Sequence, residues 1–175
     1  STSSTKVTDD NLALTAKWEV QGLSITFDAN GGSCDKTEMK VTYGKKAGKL
    51  PEPTRDGYSF LGWYYTKNSQ EYELTSDITI TSSISAYAKW DAFEYMILLD
   101  ARSGKCDEES VFAYCGEKIG DIPTPTRKGY YFGGWYTKPG GKGTLYTDKS
   151  LMPSKDFTLY AKWTKISGYA SKVTL

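Results

Sequence analysis

Thr15-Ala16-Lys17-Trp18, Tyr87-Ala88-Lys89-Trp90 and Tyr160-Ala161-Lys162-Trp163 are three versions of one short segment, spaced 72 and 73 residues apart. Sliding residues 25–64 onto residues 97–136 without a gap matches 19 of 40 positions. An internal repeat of this length defines the architecture before any local pattern does. The sequence therefore predicts two complete modules of about 70 residues each, and Trp18 indicates that residues 7–18 are the last strand of a preceding, truncated module.

Within each module, strand patterns alternate with turn residues. Residues 25–29 precede Asn30-Gly31-Gly32, which supplies the positive-φ residues of a tight turn. Second strands are predicted at residues 39–43 and 111–115. The Pro-x-Pro-Thr-Arg-x-Gly segments predict an extended loop, because proline cannot donate to a central ladder; they occupy residues 51–57 and 123–129. Aromatic strands follow at residues 58–64 and 130–136.

The composition favours a β-rich fold, since 14 Tyr, 5 Trp and 6 Phe make 14% of the chain aromatic. We expect a β-rich α+β fold with mostly antiparallel strands and at most one short helix in each module. Lys45 to Leu50 is the only plausible site for that helix in module 1, and Gly48 interrupts it.

The repeat also sets the domain boundaries. They are the tail of a preceding repeat at residues 1–22, module 1 at residues 23–91, module 2 at residues 92–164, and a linker or the start of a next unit at residues 165–175. The connection from Asp91 to Tyr95 is short and apolar rather than rich in Gly and Ser, so we expect limited bending between the modules.

Several classes of chemistry are disfavoured. The chain has no histidine, the usual general base and the commonest metal ligand. Its 22 Lys+Arg and 21 Asp+Glu balance to +1, which indicates no nucleic-acid partner, and its longest apolar run is too short to span a membrane. The acidic residues Asp35, Asp107, Glu108 and Glu109 lack calcium-loop spacing and are interpreted as solvated turns. We therefore predict no enzyme activity, no cofactor, no metal and no membrane insertion.

The three cysteines leave at least one thiol unpaired within the chain. Cys34 and Cys106 occupy equivalent repeat positions, and Cys115 stands where module 1 has Tyr43. A bridge from Cys106 to Cys115 would staple the first hairpin of module 2, but the two residues would not stand directly opposite each other. Reduced thiols are the favoured interpretation.

Aromatic residues that recur in both modules are interpreted as core. They are Trp18, Trp63, Trp90, Trp135, Trp163, Tyr58, Tyr130, Phe60, Phe132, Tyr64, Tyr136, Tyr87 and Tyr160. Three aromatic residues do not recur, because Phe112, Tyr114 and Tyr131 replace Lys40, Thr42 and Ser59. They are the candidate contact site, for the next module, a glycan or a partner protein. Packing between modules is the favoured of these interpretations.

Four segments of module 1 carry a family resemblance: residues 25–32, residues 41–44, residues 51–64 and residues 87–90. Together they resemble the Listeria-Bacteroides repeat, also known as the internalin B-type repeat. Module 2 is similar from Pro123 to Trp163 and departs at its first turn, where Arg102-Ser103-Gly104 replaces Asn-Gly-Gly, and at Cys115.

The resemblance implies a small β-grasp-like module, arranged in arrays on secreted or wall-attached bacterial proteins, and it implies no catalytic residue. We therefore expect non-catalytic spacer or stalk repeats of an extracellular, secreted or cell-surface protein, an adhesin in kind. The alternative is a module that binds a glycan or a host protein through the aromatic patch of module 2. The expected partners are such a ligand and the neighbouring repeats.

Overall fold

The computed structural model describes residues 22–168, which contain ten strands and no helix. The predicted tail of a preceding repeat, with Trp18, and the last residues of the chain lie outside the described residues. The strands are β1 (Gly22–Asp28), β2 (Glu38–Thr42), β3 (Tyr58–Lys67), β4 (Gln70–Leu74), β5 (Ile84–Ala92), β6 (Glu94–Asp100), β7 (Ser110–Tyr114), β8 (Tyr130–Lys138), β9 (Lys142–Tyr146) and β10 (Phe157–Lys165).

Each module is one five-stranded mixed sheet. The strand order is β2-β1-β5-β3-β4 in module 1 and β7-β6-β10-β8-β9 in module 2. The first and last long strands pair in parallel at the centre, β1 with β5 and β6 with β10, and the other neighbours are antiparallel. Because the first and last strands run side by side in the same direction, the chain enters each module at one end of this central pair and leaves it at the other.

Only one face of each sheet is covered, and the cover consists of loops. Leu23, Ile25 and Phe27 alternate along β1 with more exposed residues, so alternate side chains enter the core. Ile80 from the loop before β5 is fully buried against them, and Met152 takes the equivalent place in module 2. The opposite face of each sheet, called the outer face below, carries no such layer among the described residues.

The tryptophans fasten the proline-rich loop to the core. Trp63 is 2% exposed and its Nε1 donates to the carbonyl of Pro51 at 2.7 Å. Trp135 repeats the bond to Pro123 at 2.9 Å. A buried indole N–H needs an acceptor, and the extended loop provides its free carbonyl. The core interpretation is thus confirmed for these two residues, and Phe60 and Phe132 pack partly buried against the same cores.

No helix forms at residues 45–50, the only place in module 1 where the sequence allowed one. Lys46 instead forms an antiparallel bridge with Thr79, and the amide of Ala47 donates to the carbonyl of Ile78 at 2.9 Å. Gly48 adopts a φ of 76°, which a right-handed helix does not allow. The described residues are therefore all-β, and the α component of the predicted α+β class is corrected.

The first turn keeps its shape although its residues change between modules. Asn30 and Gly31 have φ values of 47° and 87°, and Arg102 and Ser103 have 48° and 68°. In both turns an aspartate at the strand end accepts the amide two residues on, at 2.8 Å. Module 2 thus holds two residues with side chains in the left-handed region, which is a strained conformation.

Candidate functional site

A single residue separates the two sheets, and its backbone is hydrogen-bonded to both modules. Strand β5 ends at Ala92 and β6 begins at Glu94, with Phe93 between them. The amide of Phe93 donates to the carbonyl of Gly57 in module 1, and its carbonyl accepts the amide of Cys115 in module 2, both at 2.9 Å. The connection is consequently part of the hydrogen-bonded framework rather than a free linker.

Side chains reinforce this contact, which we call the junction: Asp56, Gly57, Tyr58, Phe93, Cys115 and Ser154. The Tyr58 hydroxyl donates to the carbonyl of Cys115 at 2.7 Å. On the same loop, Asp56 accepts a bond from the Ser154 hydroxyl. The Arg55 guanidinium lies 3.8 Å from the centre of the Tyr58 ring and restrains its orientation.

Close packing at the junction requires a glycine. A Cβ added to Gly57 would lie 2.4 Å from the Sγ of Cys115 and 2.8 Å from the Cβ of Ser154. The residue also has a φ of 82°, a conformation that favours glycine. Gly57 therefore combines a turn geometry with a close approach of module 1 to module 2.

The cysteines are all free thiols in this structure, and Cys115 is buried while Cys34 and Cys106 are half-buried. The favoured reading of reduced thiols thus matches the geometry. Cys115 is buried because it faces Gly57, whereas Tyr43, at the equivalent position of module 1, is 56% exposed.

Near the junction, partial burial raises the pKa of Tyr95, and the charges of Cys115, Asp56 and Asp156 raise it further.

A shallow groove of about 530 Å³ runs along the junction. Tyr58, Trp90 and Tyr114 contribute aromatic walls, and Asp91 and Glu117 contribute carboxylates. Tyr114 is the one member of the predicted contact site that lies here. The groove therefore borders the junction, is lined by residues of both modules, and is open to solvent.

The structure divides the predicted contact site into two places. Phe112 and Tyr114 project from the edge strand β7, 56% and 51% exposed, with Phe112 opposite Met96. Tyr131, 65% exposed, lies on β8, with β6 and β10 between it and β7. Tyr131 pairs with Thr164 on β10, whereas Phe112 pairs with Met96, which lies two residues before Leu98, the partner of Thr158. The levels of Tyr131 and Phe112 are therefore eight residues, or about 26 Å, apart along the strands.

The outer-face neighbours of Phe112 and Tyr114 are Met96 and Leu98 on β6. Tyr131 is not one of them. Leu98 is 46% exposed, and the module 1 counterparts of this group are polar. By strand pairing the counterparts are Ser24 for Met96, Thr26 for Leu98, Lys40 for Phe112 and Thr42 for Tyr114. Sequence analysis missed Met96 and Leu98, although comparing β1 with β6 position by position would have found them.

The outer face of module 1 also carries a polar cluster that the sequence did not reveal. Tyr87 and Lys89 project from β5, and both donate to the carboxylate of Glu71 on β4. Lys89 lies 4.2 Å from the centre of the Tyr64 ring. Tyr64 and Tyr87 therefore belong to the outer face, as do their module 2 counterparts Tyr136 and Tyr160, and the assignment of these four residues to the core was wrong.

Hydrogen bonds explain the pKa directions in this cluster. Those from Lys89 and Tyr87 lower the pKa of Glu71 below its usual 4.5. The same bonds raise the pKa values of Lys89 and Tyr87 above their usual 10.5 and 10.0.

The described part of the chain contains no helix that could span a membrane.

The fold and the junction together define a class of protein: tandem all-β modules, each a single sheet, joined by direct contact. The Listeria-Bacteroides repeat domain model matches residues 24–89 and 95–162, so the chain belongs to the Listeria-Bacteroides repeat family. The resemblance inferred from the sequence is thereby confirmed, with two tandem copies.

Three curated relatives align with most of the chain. A putative membrane protein of Evansella cellulosilytica is 30% identical over 98% of this chain, and a putative Gly-rich membrane protein of the same organism is 31% identical over 87%. Internalin H of Listeria monocytogenes is 30% identical over 83%. The aligned regions span 26%, 17% and 26% of these relatives, so the chain corresponds to a minor part of each.

Proposed function

We propose that this chain is a non-catalytic spacer segment of a bacterial cell-surface or secreted protein, an adhesin in kind, in which consecutive repeats form a stiff stalk. Membership in the Listeria-Bacteroides repeat family and similarity to internalin H support the surface setting. Each module is proposed to be a β-grasp variant whose helix is replaced by loops, a view supported by the strand order with a parallel central pair.

The junction is the observation that carries the stalk proposal. A spacer must hold consecutive modules in an extended arrangement, and two modules on a free linker could fold back on each other. Here Phe93 is bonded on both sides and Tyr58 ties module 1 to the backbone of module 2. Bending would break these bonds and expose the Cys115 thiol.

The native cysteines allow a direct test. Cys34 and Cys106 are half-buried at equivalent places in the two modules, so a spin label on each would report the distance between modules. Cys115→Ala would remove the third thiol and leave its backbone N–H and C=O in place. A stiff junction gives one narrow distance distribution, and Tyr58→Phe broadens it. A broad distribution in the parent chain would refute the stalk.

A second candidate function, binding of a glycan or a host protein, rests on the apolar edge of module 2. Phe112, Tyr114 and Leu98 expose rings and methyl groups where module 1 has lysine and threonines. Because the structure separates Tyr131 from this edge, Phe112→Lys/Tyr114→Thr and Tyr131→Ser should be tested separately in a glycan and matrix-protein binding screen. Binding lost only in the double variant supports this function, and unchanged binding in both variants excludes the patch.

A further inference from the structure

A lysine and a tyrosine at equivalent positions of the two modules have different surroundings, and the difference suggests a ligand for module 2. In module 1, Lys89 and Tyr87 share one carboxylate, that of Glu71 on β4. In this arrangement one carboxylate accepts a hydrogen bond from an ammonium group and another from a phenol. Because Glu71 already accepts both hydrogen bonds, these donors in module 1 are not free to bind another anion.

Module 2 keeps the donors and loses the acceptor. Tyr160 and Lys162 occupy the positions of Tyr87 and Lys89 on β10, and Tyr136 matches Tyr64. In module 1 Glu71 stands opposite Thr66, whereas in module 2 Lys142 stands opposite Lys138 at that place. The carboxylate is replaced by a second cation.

Asp100 on β6 pairs with Tyr160, and its carboxylate accepts hydrogen bonds from the amide and the guanidinium of Arg102. Strand β9, on the other side, carries no acidic residue. Glu73, the next acid of β4, faces Tyr64, and its counterpart opposite Tyr136 is Leu145. Within residues 22–168, Lys162 takes part in no ion pair. Lys138 and Lys142 pair with each other near the tip of the β8–β9 hairpin, and the Lys162 ammonium lies 5.6 Å from the centre of the Tyr136 ring.

Two glycines shape the surface around the lysine. Cβ atoms added to Gly133 and Gly141 would lie 3.2 Å and 2.5 Å from the Lys162 Cδ, so the stem of the lysine rests between these two residues. In module 1 the position of Gly133 is Leu61, which is 54% exposed. The change removes a projecting side chain beside the tyrosines and flattens the surface there.

We infer that the outer face of module 2 binds a carboxylated saccharide, with the ligand carboxylate taking the place that Glu71 fills in module 1. Lys162 and the Tyr160 hydroxyl receive the carboxylate, Lys142 adds attraction, and the half-buried Tyr136 and Tyr160 offer ring surface to the sugar. An open sheet face with two rings fits a chain of sugar rings better than it fits an isolated acidic side chain. This site is distinct from the apolar edge of β7, and the stalk proposal does not depend on it.

The test is an NMR titration of the whole chain with tetragalacturonic acid, with galactotetraose as the uncharged control. The expected result is saturable shifts of the β8, β9 and β10 amides with the acidic sugar alone, weakened by added salt. Lys162→Gln should reduce the affinity by about fivefold or more, in line with the loss of one charged contact. The matched Lys89→Gln in module 1 should leave the affinity unchanged.

A gain of charge gives an independent check. Lys142→Glu returns a carboxylate to the position of Glu71 and should block the site at least as strongly as Lys162→Gln does. The inference is overturned if the acidic sugar gives no saturable shifts, if galactotetraose binds equally well, or if Lys89→Gln weakens binding as much as Lys162→Gln. A tetraglutamate peptide that binds as tightly as the sugar would overturn the assignment to saccharides.

Discussion

The hydroxyl of Tyr58 in module 1 donates a 2.7 Å hydrogen bond to the carbonyl of Cys115 in module 2, across 57 positions of sequence. The acceptor is a backbone atom, so this bond places no demand on the side chain at position 115. That is consistent with the exchange of tyrosine for cysteine between the two modules at this position.

Tyr58→Phe should loosen the junction without unfolding either module. Loss of one part-buried hydrogen bond costs about 1 kcal/mol, which corresponds to a several-fold larger population of open junction. The buried Cys115 thiol should then react several-fold faster with a thiol reagent, measured by mass spectrometry after peptide digestion. Tyr130→Phe, the equivalent change in module 2, is the control and should leave the Cys115 rate unaltered. Equal rates in Tyr58→Phe and the parent chain would contradict the role given to this bond.

Gly57→Ala should destabilise the junction more strongly than Tyr58→Phe. The new methyl group would overlap Cys115 and Ser154, and alanine is strained at a φ of 82°, so we expect a loss of about 1–3 kcal/mol in the free energy of unfolding. Urea unfolding measures this loss. Gly129→Ala has nearly the same φ, 80°, and controls for the backbone strain. Adding Cys115→Ala to Gly57→Ala should recover part of the loss, and an absence of recovery would argue against the contact.

Ser103→Gly should stabilise module 2. Ser103 has a φ of 68°, and glycine at such a position relieves about 1 kcal/mol of strain. The reverse change in module 1, Gly31→Ser, should cost a similar amount because Gly31 has a φ of 87°. Thermal unfolding of the two variants should therefore shift in opposite directions, and shifts of the same sign would show that the two turns are not equivalent.

Glu71 should titrate below its usual pKa of 4.5, because its folded carboxylate receives bonds from Lys89 and Tyr87. A group with a lowered folded pKa stabilises the fold above its unfolded pKa, and the contribution is lost as the pH falls through the folded value. Carbon-detected NMR of the Glu71 carboxyl group measures the midpoint. Lys89→Gln should raise that midpoint toward 4.5, and Lys162→Gln should leave it in place. A midpoint at or above 4.5 in the parent chain would contradict the cluster.

Local patterns were sufficient for much of the fold. Strand positions followed from alternation and turn residues, and the indoles of Trp63 and Trp135 are buried as their recurrence indicated. The sequence left open whether a short helix forms at residues 45–50, and none does, because Lys46 forms a bridge with the distant Thr79, which overrides a weak local preference. Tyr64 and Tyr87 were misassigned because recurrence shows that a position matters to the module and not which face of the sheet it occupies.

The sequence by itself determined the repeat, the two modules, their β-rich character and the family, because all of these are written in the order and spacing of residues along the chain. Only the tertiary structure decided the parallel pairing of β1 with β5, the contact between Tyr58 and Cys115, and the separation of Tyr131 from Phe112 and Tyr114. It also showed that Glu71 accepts hydrogen bonds from Lys89 and Tyr87 in module 1, and that Lys142 occupies the paired position in module 2. These relationships join residues far apart in sequence, and such pairings leave no local periodicity, so they depend on how the folded sheets bring the strands together.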